Sequence, residues 1–241
     1  MPMTSVPGTT SAPALRAHLA VPPVGSGPWP AVVVLHEVFG LTDDVRGHAD
    51  RLAAAGYLAV APDLFTAGGA LGCLRSVFGS LTRGEGPAVD DVDAVRRWVA
   101  AREDCTGRVG VIGFCMGGGF ALLLAARGFD AAAPSYGPLP RDPERVLADA
   151  CPVVASYGGR DPGLRGAAAE LERVLADLGV EHDVREYAAA GHSFMNRHDL
   201  GPLALVERVA GFAHHGPSAE DAWGRVLRCF DRHLRAPDAE V

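Results

Sequence analysis

Apolar runs typical of buried strands alternate with amphipathic helix patterns four times along the chain. In the first unit, the run from Ala31 to Leu35 is apolar and rich in β-branched residues, and a helix pattern follows with Thr42 or Asp43 as its N-cap and Gly56 at its end. A strand without polar alternation needs cover on both faces. The repeated alternation therefore predicts an α/β fold with a doubly wound, mostly parallel sheet.

The remaining units pair "YLAVAPDLF" with "VDDVDAVRRWVAARE", "RVGVIGF" with "GGGFALLLAARG", and "CPVVASYGG" with "RGAAAELERVLADLG". We expect an edge strand at 14–21, two further strands at 129–137 and 182–188, and a closing amphipathic helix at 219–234. Residues 1–12 are rich in Pro, Ser, Thr and Gly, which predicts a loose terminus.

The chain has 241 residues, of which 48% are hydrophobic, and this is enough for one sizeable core, so we predict a single domain over 1–241. The segment 66–88 exceeds the usual strand-to-helix connection. Its apolar residues have helical spacing, which predicts a short helix at the carboxyl edge of the sheet, acting either in packing or as a lid or pocket wall. These residues are Leu71, Leu74, Val77, Phe78 and Leu81.

Charge and cysteine content exclude several classes of protein. The net charge is −7 and no basic run is present, so we expect no nucleic-acid partner. The N-terminal stretch lacks the features of a signal peptide, and no apolar run approaches the ~20 residues that span a bilayer, so we expect a cytoplasmic protein without a membrane partner. The five cysteines form no C-x-x-C pair or zinc-ligand pattern, so we expect reduced thiols and no metal or cofactor.

The stretch "GFCMGG" places Cys115 between Gly113 and Gly117, directly after a predicted strand. This matches the G-x-S-x-G nucleophile elbow with a thiol in place of the serine hydroxyl. The helix N-terminus would stabilise a thiolate, and the Met116 N–H would face a developing oxyanion. The alternative is a small buried residue in a glycine-rich packing contact.

A thiol nucleophile needs a base, since at its ordinary pKa only a few per cent is ionised at neutral pH. His192 lies in a predicted loop after the last strand, and Asp161 lies in the loop after "PVVAS". Carboxyl ends of parallel strands meet at one edge, so these side chains are expected to converge with Cys115. The order of nucleophile, acid and histidine is that of α/β-hydrolases, which predicts a sheet of the α/β-hydrolase type.

The segments "VVVLHEVFGL", "GYLAVAPDLF", "VGVIGFCMGGGFAL", "YGGRDP" and "GHSFMN" together resemble the dienelactone hydrolase family. The resemblance implies the Cys115, Asp161 and His192 triad and adds Glu37, which would take the thiol proton when substrate arrives. It also implies that Val38 donates the second oxyanion-hole N–H.

The implied reaction is hydrolysis of a small lactone or activated, enol-type ester through an acyl-enzyme on Cys115. Two other functions stay open: a non-catalytic ligand-binding protein of the same fold, and a redox-sensing thiol protein. The sequence does not fix the oligomeric state.

The substrate pocket is where this sequence departs from the well-known family members, which carry an arginine shortly after the histidine. Here Asn196 occupies that position. A substrate carboxylate would then be bound by Arg75, Arg83 or Arg197, of which Arg75 is preferred because it belongs to the segment placed over the pocket. Ser193, next to the histidine, is a further candidate for substrate binding.

Overall fold

The computed structural model describes residues 3–197 and 213–235, without the side chains of residues 69–71. The strands are β1 (Met3–Pro7), β2 (Ala14–Ala20), β3 (Trp29–Leu35), β4 (Leu58–Pro62), β5 (Cys105–Phe114), β6 (Ala131–Ser135), β7 (Val153–Gly158) and β8 (His182–Tyr187). The helices are α1 (Asp43–Ala54), α2 (Gly69–Arg83), α3 (Pro87–Ala100), α4 (Met116–Leu124), α5 (Pro143–Val146), α6 (Ala167–Asp177) and α7 (Gly216–Leu234), with one 3-10 turn at Pro162–Leu164.

All eight strands form one sheet in the order β1-β2-β4-β3-β5-β6-β7-β8. β2 pairs antiparallel with β1 and β4, whereas the pairs from β4 through β3, β5, β6 and β7 to β8 are parallel. This confirms the predicted doubly wound, mostly parallel sheet. The chain adds β4 on one side of β3 and β5 on the other, so the topological switch point lies between β3 and β5, where α/β folds bind ligands.

The strand β3 contributes alternate side chains to two hydrophobic cores, one on each face of the sheet. Val33 and Leu35 belong to the core that contains residues of α2, α3, α4 and α6. Val32 and Val34 belong to the core that contains residues of α1 and α7. Alternation with a period of two sends neighbouring residues to opposite faces, so a strand covered on both sides must be apolar throughout.

The N-terminal segment corrects two of the sequence predictions. β1 pairs with β2, so part of residues 1–12 is ordered in the sheet and β2 is not the edge strand. The pair Val6 and Leu15 is fully buried, and the backbone N–H groups of Thr10 and Ser11 donate to the carboxylate of Asp91. Long-range pairing thus orders a segment whose composition alone predicts a loose chain.

The helix predicted within 66–88 is present as α2. Cys73, Val77 and Ser80 are buried on its inner side, and the helix contacts α3 and α4. Gly84, with φ of 75°, ends it in the left-handed conformation. The inner side of α2 packs against the rest of the protein. The role of α2 as a lid or pocket wall stays a prediction.

Across the residues that the structure describes, no helix combines the length and the apolar composition needed to cross a membrane.

Candidate active site

Five strands present polar side chains at their carboxyl ends, around the switch point. Glu37 follows β3, Cys115 follows β5, Tyr136 follows β6, Asp161 follows β7 and His192 lies beyond β8. The strand order places these ends side by side from β3 to β8. The sheet therefore brings together the residues that sequence reasoning assigned to one site.

Cys115 lies on a tight turn between β5 and α4, with φ of 52° and ψ of −114°. A positive φ is rare for a residue other than glycine and is found where the surrounding structure imposes it. A Cβ on Gly113 would lie 2.0 Å from the Gly117 carbonyl oxygen, and one on Gly117 would lie 2.3 Å from the Leu35 carbonyl oxygen. Only glycine is accommodated at positions 113 and 117, two residues before and after Cys115, as the elbow motif predicts.

Backbone hydrogen bonds connect the loops that carry Asp161 and His192. The Gly159 N–H donates to the Tyr187 carbonyl at 2.9 Å, and the Arg160 N–H donates to the Ala190 carbonyl at 2.9 Å. These bonds fix the end of β7 against the loop that follows β8. The loops that carry Asp161 and His192 are consequently held next to each other by backbone hydrogen bonds.

The imidazole of His192 is oriented by Asp161 on one side and faces the thiol on the other. Its Nδ1 lies 2.5 Å from Asp161 Oδ2, while Asp161 Oδ1 accepts the Gly163 N–H at 2.9 Å. Because the carboxylate is an acceptor, Nδ1 carries a proton and Nε2 is available to Cys115. The Cys115 side chain helps to raise the pKa of His192, so the thiol lies close enough to the imidazole to interact with it.

Both members of the His192–Asp161 pair have shifted pKa values. Burial by itself lowers the pKa of His192, but the hydrogen bonds with Asp161 and Cys115 outweigh it and raise this pKa well above its ordinary value. Burial by itself raises the pKa of Asp161, and the hydrogen bond with His192 outweighs it and lowers the pKa. The protonated imidazole is thus stabilised next to the carboxylate and the sulfur.

Glu37 is 2% exposed and hydrogen bonds to two residues of the loop that follows His192. Its Oε1 accepts from Asn196 Nδ2, and its Oε2 accepts from Ser193 Oγ at 3.4 Å. The backbone that precedes it, at the end of β3 and at His36, lies against the elbow through the carbonyl oxygens of Leu35 and His36. Glu37 therefore lies beside the turn that carries the thiol.

Met116 and Val38, the residues predicted to form the oxyanion hole, follow directly after Cys115 and Glu37 at the ends of β5 and β3. Met116 is the first residue of α4, so its N–H has no acceptor within the helix. Val38 lies in the turn between β3 and α1, where the Gly40 N–H donates to the Glu37 carbonyl at 3.2 Å. The roles of Met116 and Val38 stay predictions.

The candidate substrate-binding residues are separated in the structure. Ser193 is buried, with φ of 56°, and bonds to Glu37 as described. Arg75 and Arg83 lie on the exposed side of α2, and their binding of a substrate carboxylate stays a prediction. Arg197 is exposed, and its positive charge acts on His214 and Glu220, next to and within α7.

Two residues of the site were missed by sequence reasoning. The ring of Tyr136 contacts the His192 ring edge-on with centroids 5.2 Å apart, and Tyr136 has φ of 40°. Its hydroxyl donates to Asn196 Oδ1 at 2.7 Å. His48 of α1 reaches the same Asn196 Oδ1 from its Nε2 at 3.2 Å. The position of Tyr136 directly after β6 was the available signal, whereas nothing local marks His48.

His36, which also ends a strand, has a structural role. Its Nδ1 donates to the Glu37 carbonyl at 2.6 Å, and its Nε2 accepts the Leu64 N–H at 3.0 Å. Burial lowers the pKa of His36, so the ring is neutral and connects the end of β3 to the chain after β4.

The sheet order, the turn after β5 and the residues at the strand ends define a hydrolase of the α/β-hydrolase fold. The model of the dienelactone hydrolase family matches residues 15–234. The chain belongs to the dienelactone hydrolase family.

Three relatives illustrate the similarity. The carboxymethylenebutenolidase of Rhodococcus opacus is 31% identical, covering 97% of this chain and 91% of that protein. A Yersinia pestis protein provisionally named carboxymethylenebutenolidase is 30% identical, covering 91% of this chain and 84% of that protein. The crystal structure of a protein provisionally named dienelactone hydrolase, from Klebsiella pneumoniae, superposes with a TM-score of 0.79 at 27% identity, covering 96% of this chain and 98% of that one.

Proposed function

We propose that this protein hydrolyses a small lactone or activated, enol-type ester through an acyl-enzyme on Cys115. The observation that carries the proposal is the buried Asp161–His192 hydrogen bond, with the imidazole interacting with Cys115 and the sulfur on a strained turn at a helix N-terminus. The names of the relatives support the substrate class, since a butenolide is an unsaturated lactone.

In the first half-reaction, the thiol proton passes to Glu37 and the thiolate attacks the carbonyl carbon of the substrate. The N–H groups of Met116 and Val38 donate to the oxyanion. When the tetrahedral intermediate collapses, the C–O bond breaks and the leaving oxygen takes a proton from His192. An enolate is a good leaving group. The alkoxide of a simple alkyl ester is a poorer leaving group than the thiolate, so the intermediate would return to substrate.

In the second half-reaction, His192 takes a proton from water as the water attacks the thioester. The C–S bond then breaks, and the sulfur leaves as thiolate. Asp161 holds the imidazole in one tautomer and stabilises its positive charge throughout. Return of the proton from Glu37 to the sulfur restores the resting thiol.

The two other functional classes have less support. A redox sensor needs a second reactive thiol, and burial raises the pKa of Cys105, Cys151 and Cys229, which disfavours the reactive thiolate at three of the four other cysteines. A non-catalytic ligand-binding protein needs no Asp161–His192 hydrogen bond behind the thiol.

The test is turnover of a panel of lactones, enol esters and aryl esters by the parent and by Cys115→Ala. We expect Cys115→Ala to abolish nearly all turnover at an unchanged melting temperature, because the thiol provides the covalent path and little packing. Mass spectrometry of the parent with a slow substrate should detect an acyl group on the peptide that contains Cys115. Equal rates for parent and variant would reject the assignment.

A further inference from the structure

A surface cleft lies between α2 and residues 138–146, and residues of α4 line it along its length. One part of this α2–α4 cleft has a volume of about 290 Å³ and lies at the end of α2 and at α5. A second part, of about 210 Å³, extends toward the start of α4 and shares Leu81, Leu123 and Arg141 with the first. The two parts are therefore one continuous cleft, and its two ends differ in character.

Four arginines line the end of the cleft that lies at α5. They are Arg83 at the end of α2, Arg127 in the turn after α4, and Arg141 and Arg145 at α5. All four side chains are exposed. Among the described residues that line this end, the acids are Glu85 and Asp142. Four positive and two negative groups give this end a formal charge of +2, on a chain whose net charge is −7.

Neighbouring groups neutralise only part of this positive charge. Arg145 Nε donates to Asp142 Oδ2 at 2.9 Å. Arg127 Nη2 donates to the Gly84 carbonyl at 2.8 Å, and a carbonyl oxygen carries no full charge. Within the part of the chain that the structure describes, no carboxylate forms an ion pair with Arg83 or Arg141. Guanidinium N–H groups therefore stay available to an anion in the cleft.

The other end of the cleft is apolar. It is lined by Phe78 and Leu81 of α2, Leu123 of α4, and Pro138, Leu139 and Pro140 after β6. The Phe78 side chain is 37% exposed, so part of this apolar surface meets solvent. Small-molecule sites typically combine a concave apolar surface with a few polar groups that orient the ligand. The α2–α4 cleft has this composition.

The cleft lies along the helix that begins at the thiol but outside the catalytic site. A Cβ on Gly119 would lie 3.0 Å from Pro138 and 3.1 Å from Leu81, so the apolar end is one helical turn from Cys115. Leu123 follows the thiol by eight residues, which is about 12 Å of helix. None of the described residues that line the cleft belongs to the triad.

We propose that the α2–α4 cleft binds a phosphate monoester that carries a short apolar chain, with the phosphate at the arginines and the chain at the apolar end. The planar guanidinium matches phosphate oxygens with two parallel N–H groups. A phosphate monoester carries a charge of about −1.5 to −2 near neutral pH, which balances the charge of the arginine end. A carboxylate carries only one charge and leaves half of it uncompensated.

The experiment is isothermal titration calorimetry of the full chain with hexyl phosphate, inorganic phosphate and hexanoate. We expect hexyl phosphate to bind about tenfold or more tightly than inorganic phosphate, because burial of two methylene groups alone corresponds to that factor. It should also bind more tightly than hexanoate, and added salt should weaken binding, because the arginines are exposed. No saturable binding of hexyl phosphate, or equal binding of hexanoate, would overturn the proposal.

Variants at the two ends locate the ligand. Arg141→Met should weaken binding of hexyl phosphate by about fivefold or more, because a charge-assisted hydrogen bond is lost. Phe78→Ala should weaken binding of hexyl phosphate and leave that of inorganic phosphate unchanged. Arg228→Met is the matched control, since Arg228 is also exposed but lines a different cleft, against β8. Equal losses of affinity in Arg141→Met and Arg228→Met would indicate a general effect of charge and contradict the assigned site.

Glu85→Gln provides a change of the opposite sign. It removes a negative charge from the arginine end and should strengthen binding of hexyl phosphate by about two- to fivefold, the range of an exposed charge pair. A disturbed fold would not strengthen binding, so this gain distinguishes a direct effect from a structural one. Unchanged or weaker binding in Glu85→Gln would contradict the placement of the phosphate.

Alkylation of Cys115 with iodoacetamide distinguishes the cleft from the catalytic site. We expect the alkylated protein to bind hexyl phosphate with the affinity of the parent, because the arginine end is remote from the thiol. Loss of binding on alkylation would place the ligand in the catalytic site and overturn the proposal. Calorimetry needs no ester hydrolysis, so failure of the proposed function would leave this result unchanged.

Discussion

Nδ1 of His192 lies 2.5 Å from Oδ2 of Asp161, and the side chains are only 16% and 4% exposed. The hydrogen bond stabilises the charged form of both groups, which lowers the pKa of Asp161 and helps to raise that of His192 to about 10. Because the pair is buried, this relationship affects both the free energy of unfolding and the chemistry of the site.

The first prediction concerns stability against pH. Asp161, with its lowered pKa, contributes stability that is present above its unfolded pKa of about 4 and is lost as the pH falls through the folded pKa. His192, with its raised pKa, contributes stability that is complete below about pH 6.5 and is lost as the pH rises toward its folded pKa. Asp161→Asn should therefore lower the free energy of unfolding most between about pH 4 and 6.5, by about 1.5–3 kcal/mol.

Urea unfolding over a pH series measures this difference. Asp177→Asn is the control, since Asp177 forms an exposed ion pair with Arg173 at 2.9 Å and should change stability by less than about 1 kcal/mol at every pH. A loss in Asp161→Asn that does not vary with pH would contradict the expected ionisation of the pair.

A second prediction separates the chemical effect of the Cys115 sulfur from the effect of its position on the turn. Cys115→Ser retains the turn and the hydrogen-bonding partners but replaces the sulfur with a hydroxyl, which is much harder to ionise. We expect kcat/KM for an enol ester to fall by about 100-fold or more. Cys105→Ser, which changes a half-buried thiol elsewhere, should retain parental kinetics. Full activity in Cys115→Ser would show that the site does not depend on a thiolate.

A third prediction concerns Glu37. A carboxylate within about 4–6 Å of the sulfur disfavours thiolate, so Glu37→Gln should make the resting thiol more reactive and also slow catalysis. Iodoacetamide labelling of Cys115 and kcat for an aryl ester measure the two effects in the same preparation. Identical labelling of parent and variant would show that Glu37 does not influence the sulfur.

A fourth prediction concerns substrate charge. If Arg75 binds a substrate carboxylate, Arg75→Met should raise KM for an acidic lactone by about tenfold or more, as expected when a charge-assisted pair is lost, and leave a neutral aryl ester nearly unaffected. Arg83→Met, on the exposed side of the same helix, is the matched comparison. Equal effects on both substrates, or none, would assign Arg75 to the solvent-facing surface and favour a neutral substrate.

A fifth prediction tests the elbow. A methyl group at position 117 would lie 2.3 Å from the Leu35 carbonyl oxygen, so Gly117→Ala must shift the end of β3 away from the turn. We expect a loss of about 1–3 kcal/mol in unfolding free energy and a larger loss of turnover. Gly72→Ala should stabilise the protein by about 0.5–1 kcal/mol, because a Cβ there meets open space within α2. Unchanged stability in Gly117→Ala would show that the backbone relaxes easily.

The local sequence pattern predicted most of the fold, because the apolar positions in the strand and helix patterns are the positions that the sheet and its covering helices bury. The apolar run at Ala31–Leu35, the Thr42 N-cap and Gly56 occur as expected. The errors concern β1, whose order depends on pairing with β2 and on the carboxylate of Asp91, neither of which is encoded within residues 1–12.

For the site, the sequence by itself predicted that Cys115, Asp161 and His192 converge, since each follows a strand and the ends of parallel strands must meet at one edge. The network of Asn196, Tyr136 and His48 was decided only by the tertiary structure. His48 is 148 residues away from Asn196 along the chain. Its ring reaches the site because α1 packs on the sheet where the ring contacts Phe114 of β5 and Trp223 of α7. Side-chain direction at that distance depends on how helices pack on the sheet, and no local periodicity specifies it.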